Sequence, residues 1–280
     1  MQHLLSTRTF AASVARRAIS RNAVTVTRCG KKDNIFRLSM ASAPVNSLDL
    51  TLIKDIKAAL VQAEESPECK GIILSSSMRV FCAGLDLKEL HQASADNLFE
   101  FWQNFQDTLF SVYSSDKVVV AELGGVAPAG GCMLAMACDA RVASDKCHIG
   151  LNEAAFGLVA PYFGAEMMED VLGKRVAYAA CSVGTVFPFV EADKLGMFDQ
   201  VVSSEGAEAG AALREAAEAV CEQWMRAPGR GATKSMMRGA RSAVWRAGQE
   251  AESRDFVTRV QDPATQSMIG AYLASLSKKK

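Results

Sequence analysis

Residues 117–132 read KVVVAELGGVAPAGGC, and their pattern indicates the class of fold. The first seven residues are apolar except for Lys117 and Glu122, and such a run is typical of a buried strand. Two glycines then break the run, and a turn of small residues leads into the apolar start of a helix. The stretch therefore predicts a strand, turn and helix unit of the kind that builds α/β proteins.

The same unit recurs around this stretch. Residues 71–75 form another buried strand, and residues 81–87 (FCAGLDL) repeat the small-residue turn before a new helix. Earlier still, residues 23–28 and 35–39 alternate apolar and polar residues around a turn-rich segment, which predicts a hairpin. The repetition continues to about Val202 and predicts an α/β core.

Two further helices are predicted within this core. Apolar residues at i, i+3, i+4 spacing run from Leu50 to Ala63, and Asn46 or Ser47 could cap the helix that they define. Residues 97–112 place aromatic and aliphatic side chains on one face and predict a long buried helix.

The end of the chain has a different character. From residue 204 onward the pattern is almost purely helical, with residues 208–225 as the clearest helix. We therefore predict an α/β core over residues 23–203 and a helical region over residues 204–280. No Pro/Gly/Ser-rich linker separates them, so we expect them to pack together.

Composition excludes several classes of protein. The 280 residues are 49% hydrophobic and carry no formal net charge, which fits one sizeable core and argues against a nucleic-acid partner. The eight cysteines contain no C-x-x-C pair, which favours free thiols in a non-secretory compartment. None of the three histidines lies at ligand spacing from another, so the sequence has few candidate histidines for a zinc site or a Ser-His-Asp hydrolase. No apolar run reaches the ~18 residues that a membrane span needs.

The first 22 residues predict a targeting segment. They contain Arg8, Arg16, Arg17 and Arg21, several Ser and Thr, and no acidic residue before Asp33. An Arg-rich, acid-free segment without a long apolar stretch is typical of a mitochondrial transit peptide. The alternative is a disordered basic tail, which shares this composition.

Three segments could carry chemistry. The turns in residues 81–87 and 124–132 could each bring one backbone N–H close to the same ligand oxygen, as in an oxyanion hole. Close packing of helix on strand is the alternative, because glycine serves that purpose as readily. The third segment, residues 147–158, places Glu153 among apolar residues, where desolvation would raise its pKa and suit it to act as a general base. The alternative for Glu153 is a surface loop.

Taken together, the three segments resemble the crotonase (enoyl-CoA hydratase/isomerase) superfamily, and most closely its isomerases. The motifs that carry the resemblance are APVNSL at 43–48, FCAGLDL at 81–87, PAGGC at 128–132, IGLNE at 149–153 and ATKSMMR at 232–238. The resemblance covers roughly residues 23–276. It implies a spiral of repeated ββα units followed by a C-terminal helical trimerisation region, assembled as a homotrimer or a dimer of trimers.

The resemblance also implies a site. The backbone N–H groups of Ala83 and Gly130 would form the oxyanion hole, and Glu153 would be the catalytic base. The implied substrate-binding residues are Ala83, Gly84, Leu85, Asp86, Leu87, Gly130 and Asn152. Neither a metal nor a cofactor is expected, since coenzyme A is part of the substrate.

The implied activity is an isomerase of fatty-acid β-oxidation in the mitochondrial matrix, which moves the double bond of a 3-enoyl-CoA to the trans-2 position. Hydratases of the superfamily use a second glutamate where this chain has Met133, and a thioether cannot activate water. The alternatives are an enoyl-CoA hydratase and a non-catalytic homologue that binds acyl-CoA or RNA. Glu122 departs from the superfamily pattern and is either a solvated edge residue or a second carboxylate near the site.

Overall fold

The computed structural model describes residues 23–277, so the predicted transit peptide lies outside the described residues. Its strands are β1 (Val24–Cys29), β2 (Ile35–Met40), β3 (Gly71–Ser76), β4 (Val118–Leu123), β5 (Ala127–Pro128), β6 (Ala140–Ser144), β7 (Ile149–Gly150) and β8 (Gln200–Val202). They form one six-stranded sheet in the order β1-β2-β3-β4-β6-β8 and a small sheet of β5 and β7.

Helices connect the strands and make up the end of the chain. They are α1 (Leu50–Glu65), α2 (Leu87–Leu90), α3 (Ala95–Ser114), α4 (Gly130–Ala137), α5 (Tyr162–Leu172), α6 (Lys174–Val183), α7 (Phe189–Lys194), α8 (Ala209–Met225), α9 (Arg230–Gln261) and α10 (Pro263–Ser277). A 3₁₀-helix covers Glu153–Phe156. Among residues 23–277, no helix is both long and apolar enough to cross a bilayer.

The pairing of the strands confirms the predicted hairpin and the α/β core. β1 and β2 are antiparallel, with Val24 opposite Met40, whereas every later neighbour in the large sheet is parallel. Parallel neighbours need a crossover, and α1, α3 and α4 supply the first ones. Each crossover returns the chain to the same sheet one strand further on, which produces a spiral of repeated turns.

The sheet is covered on both faces. Along β4, Val119 and Ala121 point into the core that contains α1, α3 and α4, while Val118 and Val120 point toward α8. Side chains alternate in this way along any strand. Thus α8 seals the second face of the sheet, and α9 lies against α3. The helical region packs on the core, and the boundary near residue 203 stays a prediction.

The cap of α1 differs from the expectation. Asp49, not Asn46 or Ser47, caps the helix by accepting a 2.7 Å hydrogen bond from Leu52 N–H. Asn46 is instead buried in a left-handed conformation with φ 51°. Its amide donates to the Phe81 carbonyl at 3.0 Å. It therefore fixes the start of the 81–87 segment, a long-range role that local sequence does not reveal.

Both expectations for Glu122 are wrong. Its carboxylate is neither solvated nor near Glu153, because it points toward α8, on the opposite face of the sheet. There it forms a buried ion pair with Arg37, which also donates to Glu218 at 2.8 Å. A buried charge needs such partners, and Glu122 belongs to the interface between the sheet and α8.

Candidate active site

Pairing between β5 and β7 joins two of the three predicted segments. Pro128 lies opposite Gly150, and the Ala129 N–H donates to the Gly150 carbonyl at 2.8 Å. Gly130 follows Ala129 directly, and Glu153 is three residues beyond Gly150. The turn that carries one expected amide donor is therefore fixed to the loop that carries the carboxylate.

Close packing at Gly84 brings in the remaining segment. Gly84 has φ +88°, and a Cβ on it would lie 3.0 Å from Ala129 Cβ and 3.4 Å from the Gly130 nitrogen. Only glycine allows this conformation and this approach without strain. As a result Leu85 lies beside Gly130, since a Cβ on Gly130 would be 3.5 Å from Leu85 Cδ2.

The structure corrects one of the two expected amide donors. The N–H of Ala83 donates to the Val45 carbonyl at 3.1 Å, so it is not free to bind a substrate oxygen. Leu48 pairs with the residues on either side of Leu85, accepting from Asp86 N–H at 3.1 Å and donating to the Gly84 carbonyl at 2.8 Å.

In this parallel pairing Leu85 lies between the two residues that bond to Leu48, so the N–H of Leu85 points away from Leu48. The N–H of Leu85 accordingly finds no acceptor within residues 23–277. The free amide of this segment belongs to Leu85, two residues beyond the expected Ala83. The local sequence held no signal for this, because the decisive partners, Val45 and Leu48, lie about forty residues upstream.

The backbone N–H of Gly130 is available as a donor, and its role in the site stays a prediction. Gly130 is the first residue of α4, and its N–H makes no hydrogen bond to any of the described residues. Amides in the first turn of a helix have no partner inside the helix. The preceding residue, Ala129, adopts φ 49° and ψ −121°, a conformation that is strained for any residue with a side chain. This strained peptide sets the direction of the Gly130 amide.

Glu153 has the environment of a general base. It heads the 3₁₀-helix, and its Oε2 is buried without a hydrogen-bond partner in the described part of the chain. Burial raises its pKa to about 7 from an ordinary value of 4.5. Burial is the main cause of the raised pKa of the Cys181 thiol, about 11, and the charge of Glu153 raises it further. The pKa of the Cys132 thiol is raised by the same two causes. The carboxyl group thus lies among apolar atoms and thiols, poised to gain or lose a proton near neutral pH.

The other expected site residues lie around these groups. Leu87 begins α2, and the Asp86 carboxylate caps that helix by accepting from Lys88 N–H at 3.0 Å. The half-buried Asn152 immediately precedes Glu153, and its side-chain amide bonds to no residue between 23 and 277. Residues 83–87 and Asn152 therefore flank the free amides and the carboxylate, but the Asp86 carboxylate has a structural task of its own.

Met133 occupies an apolar position in α4. Its side chain is buried, and its Sδ would lie 3.1 Å from a Cβ placed on Gly164 in α5. Gly164 in turn packs on the ring of Pro161. The position offers a water molecule no charge and no hydrogen-bonding group stronger than a weak thioether acceptor.

A cavity of about 400 Å³ borders the turn that begins with Glu153. Ala154, Cys181 and Glu169 are among its lining residues, together with the exposed side chains of Val159 and Tyr178. Glu169 is a half-buried carboxylate outside the group of free amides. No cluster of His, Cys, Asp and Glu suited to a metal ion occurs in the part of the chain that the structure describes.

Comparisons with known proteins agree with this architecture. The model of the enoyl-CoA hydratase/isomerase family matches residues 30–277, and the chain belongs to this family. It is 34% identical over 248 residues to the mouse mitochondrial enoyl-CoA delta isomerase 1, covering 87% of this chain and 84% of the relative.

Solved structures give the same result. The chain superimposes on the human mitochondrial delta3-delta2-enoyl-CoA isomerase with a TM-score of 0.87 at 31% identity, over 92% of this chain and 99% of that one. An enoyl-CoA hydratase from Bacillus halodurans has a TM-score of 0.76 at 22% identity, over 89% and 99% of the two chains. The second likeness shows the fold alone. Since a hydratase and an isomerase share this fold, the choice between them rests on the site.

Proposed function

We propose that the protein is an enoyl-CoA isomerase that converts a 3-enoyl-CoA to the trans-2-enoyl-CoA. The observation that carries the proposal is the buried Oε2 of Glu153, which has no hydrogen-bond partner among residues 23–277, together with the rise of the carboxyl pKa to about 7. A base with this pKa is about half ionised at neutral pH and still binds a proton well enough to deliver it again. The isomerase names of relatives at 33–34% identity support the same reaction.

The mechanism needs an oxygen-binding site as well as a base. The Leu85 and Gly130 N–H groups would bind the thioester oxygen, and each such donor stabilises a developing enolate by roughly 3 kcal/mol. Glu153 then removes a proton from C2, so that the C2–H bond breaks and the charge spreads as a dienolate from the oxygen to C4. The same carboxyl group returns the proton to C4, which leaves the double bond between C2 and C3. The overall proton count is unchanged, and the steps require neither a metal nor a redox cofactor.

The apolar position of Met133 favours isomerisation over hydration. Adding water to a 2-enoyl-CoA requires a second group that orients and deprotonates the water, and a buried thioether can do neither. Residues 83–87 and Asn152 would contact the thioester end of the substrate.

The reaction is tested by following 3-enoyl-CoA with wild-type protein, Glu153→Gln and the matched control Glu169→Gln. Loss of the general base should lower kcat by 10²–10⁴-fold. The control, a half-buried carboxylate on α5, should retain wild-type kcat. Unchanged turnover in Glu153→Gln would exclude it as the base, and wild-type hydration of 2-enoyl-CoA as fast as isomerisation would exclude the isomerase assignment.

We also propose that the protein assembles as a homotrimer or a dimer of trimers. It is supported by an exposed apolar stripe on α9, where Met236, Met237 and Val244 are 75%, 72% and 66% exposed. Such a stripe is typical of a surface that another subunit covers. Sedimentation velocity should give a trimer or a hexamer for the wild type and smaller species for a Met236→Lys, Val244→Lys variant, whereas a wild-type monomer would exclude the assembly.

We also propose that the protein acts in the mitochondrial matrix. The support is the acid-free, Arg-rich composition of residues 1–22 and the mitochondrial names of the relatives. A fluorescent reporter carrying residues 1–30 should be imported, and one in which the four arginines of residues 1–22 are replaced by glutamine should not. Equal distribution of both reporters would contradict this localisation.

A further inference from the structure

Helix α10 contacts both halves of the proposed active site. On the side of the base, Met268 packs over Gly157, whose Cβ, if present, would lie 2.1 Å from Met268 Cε. One turn further along, the Tyr272 ring meets the edge of Phe156, with 4.9 Å between ring centroids. Phe156 ends the short 3₁₀-helix that Glu153 begins. This part of α10 therefore lies directly against the turn that carries the base.

On the side of the Leu85 amide, the side-chain amide of Gln266 in α10 holds the segment that follows Leu85. The Gln266 Nε2 donates to the Leu90 carbonyl at 3.0 Å, and its Oε1 accepts from the Gln92 N–H at 2.8 Å. The same Nε2 also donates to the Val260 carbonyl at 2.8 Å, at the end of α9. One side chain thus connects the end of α2 to the junction of α9 and α10.

The backbone needs this support at Gln92. That residue has φ 57°, which costs a residue with a side chain of the order of 1 kcal/mol or more. Without the acceptor from Gln266, the turn would lose the bond that holds its N–H in place. The ring of His91 also packs on α10, where a Cβ on Gly270 would be 3.0 Å from His91 Nε2.

The position of Gln266 is itself well determined. Asp262 caps α10 by accepting from the N–H groups of Ala264 and Thr265 at 2.9 and 3.2 Å, and Pro263 starts the helix. Thr265 and Ile269 are buried on either side of Gln266. A fixed helix start and two buried neighbours leave the amide little freedom to move.

These contacts form a chain to the free amide. Leu48 holds Leu85 from one side through the backbone bonds to Gly84 and Asp86. On the other side, α2 is only four residues long, and its end is held by Gln266. We propose that Gln266 is a positioning residue, which keeps the Leu85 amide at a fixed place relative to Glu153 through α2 and α10. This inference rests on the proposed function and adds to it a residue far from the three motifs.

The test compares Gln266→Leu with Gln261→Leu. Leucine has nearly the same size as glutamine but makes none of the three hydrogen bonds, and Gln261 is an exposed residue at the end of α9. In Gln266→Leu we expect hydrogen exchange of residues 85–92 to become faster and kcat for 3-enoyl-CoA to fall at least ten-fold, since small displacements of catalytic groups are costly. KM should change less than three-fold, and the pH dependence of kcat/KM should be unchanged, because the base is not affected. The control should match wild type in all four measurements.

A second variant covers the case in which Gln266→Leu does not fold. Gln266→Ala removes the same three hydrogen bonds without placing a branched apolar side chain against the two carbonyl groups, so residues 85–92 should again exchange faster and kcat should again fall. Unchanged exchange of residues 85–92 in a folded variant would show that Gln266 does not hold this segment, and faster exchange with wild-type kcat would overturn the positioning role. If wild-type protein does not isomerise 3-enoyl-CoA, the proposed function fails, and the exchange measurement still decides whether Gln266 holds the segment.

Discussion

The backbone N–H of Ala129 donates a 2.8 Å hydrogen bond to the carbonyl oxygen of Gly150. This bond joins the residue before the Gly130 amide to a residue three positions before Glu153. Gly150 cannot carry a side chain, because a Cβ there would lie 2.1 Å from the Thr185 carbonyl oxygen. The relative placement of an amide donor and a base therefore depends on backbone contacts, which the side chains of the site do not reveal.

Replacing Ala129 by glycine should separate stability from activity. Ala129 is strained at φ 49°, and relief of such strain exceeds the entropic cost of an added glycine. We expect Ala129→Gly to stabilise the fold by about 1 kcal/mol, while a less constrained Gly130 amide lowers kcat several-fold. Urea unfolding and steady-state kinetics measure the two effects. A variant that is both less stable and fully active would contradict the role of the strained peptide.

A methyl group at Gly130 should obstruct the oxygen-binding site. The added Cβ would lie 3.0 Å from Leu48 Cδ1, a flexible end that can move, and 3.5 Å from Leu85 Cδ2. We expect Gly130→Ala to fold and to lose at least ten-fold in kcat/KM. The matched control is Gly124→Ala, whose Cβ would make an ordinary 3.6 Å contact with Leu213 and should leave kcat/KM unchanged. Equal activities of the two variants would argue against an oxygen site between Leu85 and Gly130.

The pH dependence of kcat/KM should follow Glu153. Burial raises its pKa to about 7, and the base must be ionised to remove a proton, so activity should be present above pH 7 and lost as the pH falls below it. Initial rates between pH 5.5 and 8.5 give the apparent pKa of the free enzyme. A value near 4.5 would mean that the carboxylate is solvated in solution.

The same shift has a consequence for stability. The folded state binds the Glu153 proton more tightly than the unfolded chain, so the free energy of unfolding should fall as the pH rises from 4.5 to about 7. The effect is on the order of 3 kcal/mol. Glu153→Gln should lack this component and gain stability relative to wild type at pH 8 compared with pH 5. Denaturant unfolding at both pH values measures it, and a constant difference would contradict the burial of the carboxyl group.

Replacing Met133 by glutamate should introduce hydratase activity. The side chains have similar length, and a carboxylate here would supply the group that water activation requires. We expect Met133→Glu to hydrate 2-enoyl-CoA at least ten-fold faster than wild type, with a loss of a few kcal/mol from burying a polar group next to Gly164. Met133→Gln is the control for size and polarity. If it hydrates as fast as Met133→Glu, the carboxylate is not the determinant.

Glu122 should matter for stability and not for the reaction. Glu122→Gln removes a buried charge that compensates Arg37, which should cost about 3 kcal/mol. The kcat of the folded variant should equal that of wild type, because Glu122 faces α8. Glu218→Gln should cost less, since the Glu218 side chain is 28% exposed. A fall in kcat at full folding would mean that Glu122 acts on the substrate after all.

Much of the fold follows from local patterns. The hairpin, the strand at 118–123 and the helix at 209–225 lie within two residues of their predicted limits, because alternation, apolar runs and helical periodicity are local properties. The cap of α1 was mispredicted for the opposite reason. Asn46 has a good capping side chain, but its amide is engaged by Phe81, which lies 35 residues away.

The sequence by itself determined the chemistry that is present: a carboxylate in an apolar loop, two glycine turns and a methionine at a key helix position. Which groups are available for that chemistry depends on how the chain folds. Ala83 N–H donates to Val45, whereas the N–H of Leu85, two residues further on, has no acceptor among residues 23–277, and Gln266 contacts the same segment from the last helix. A residue type is fixed by the sequence, whereas a free hydrogen-bonding group is defined by the absence of partners, and those partners come from distant parts of the chain.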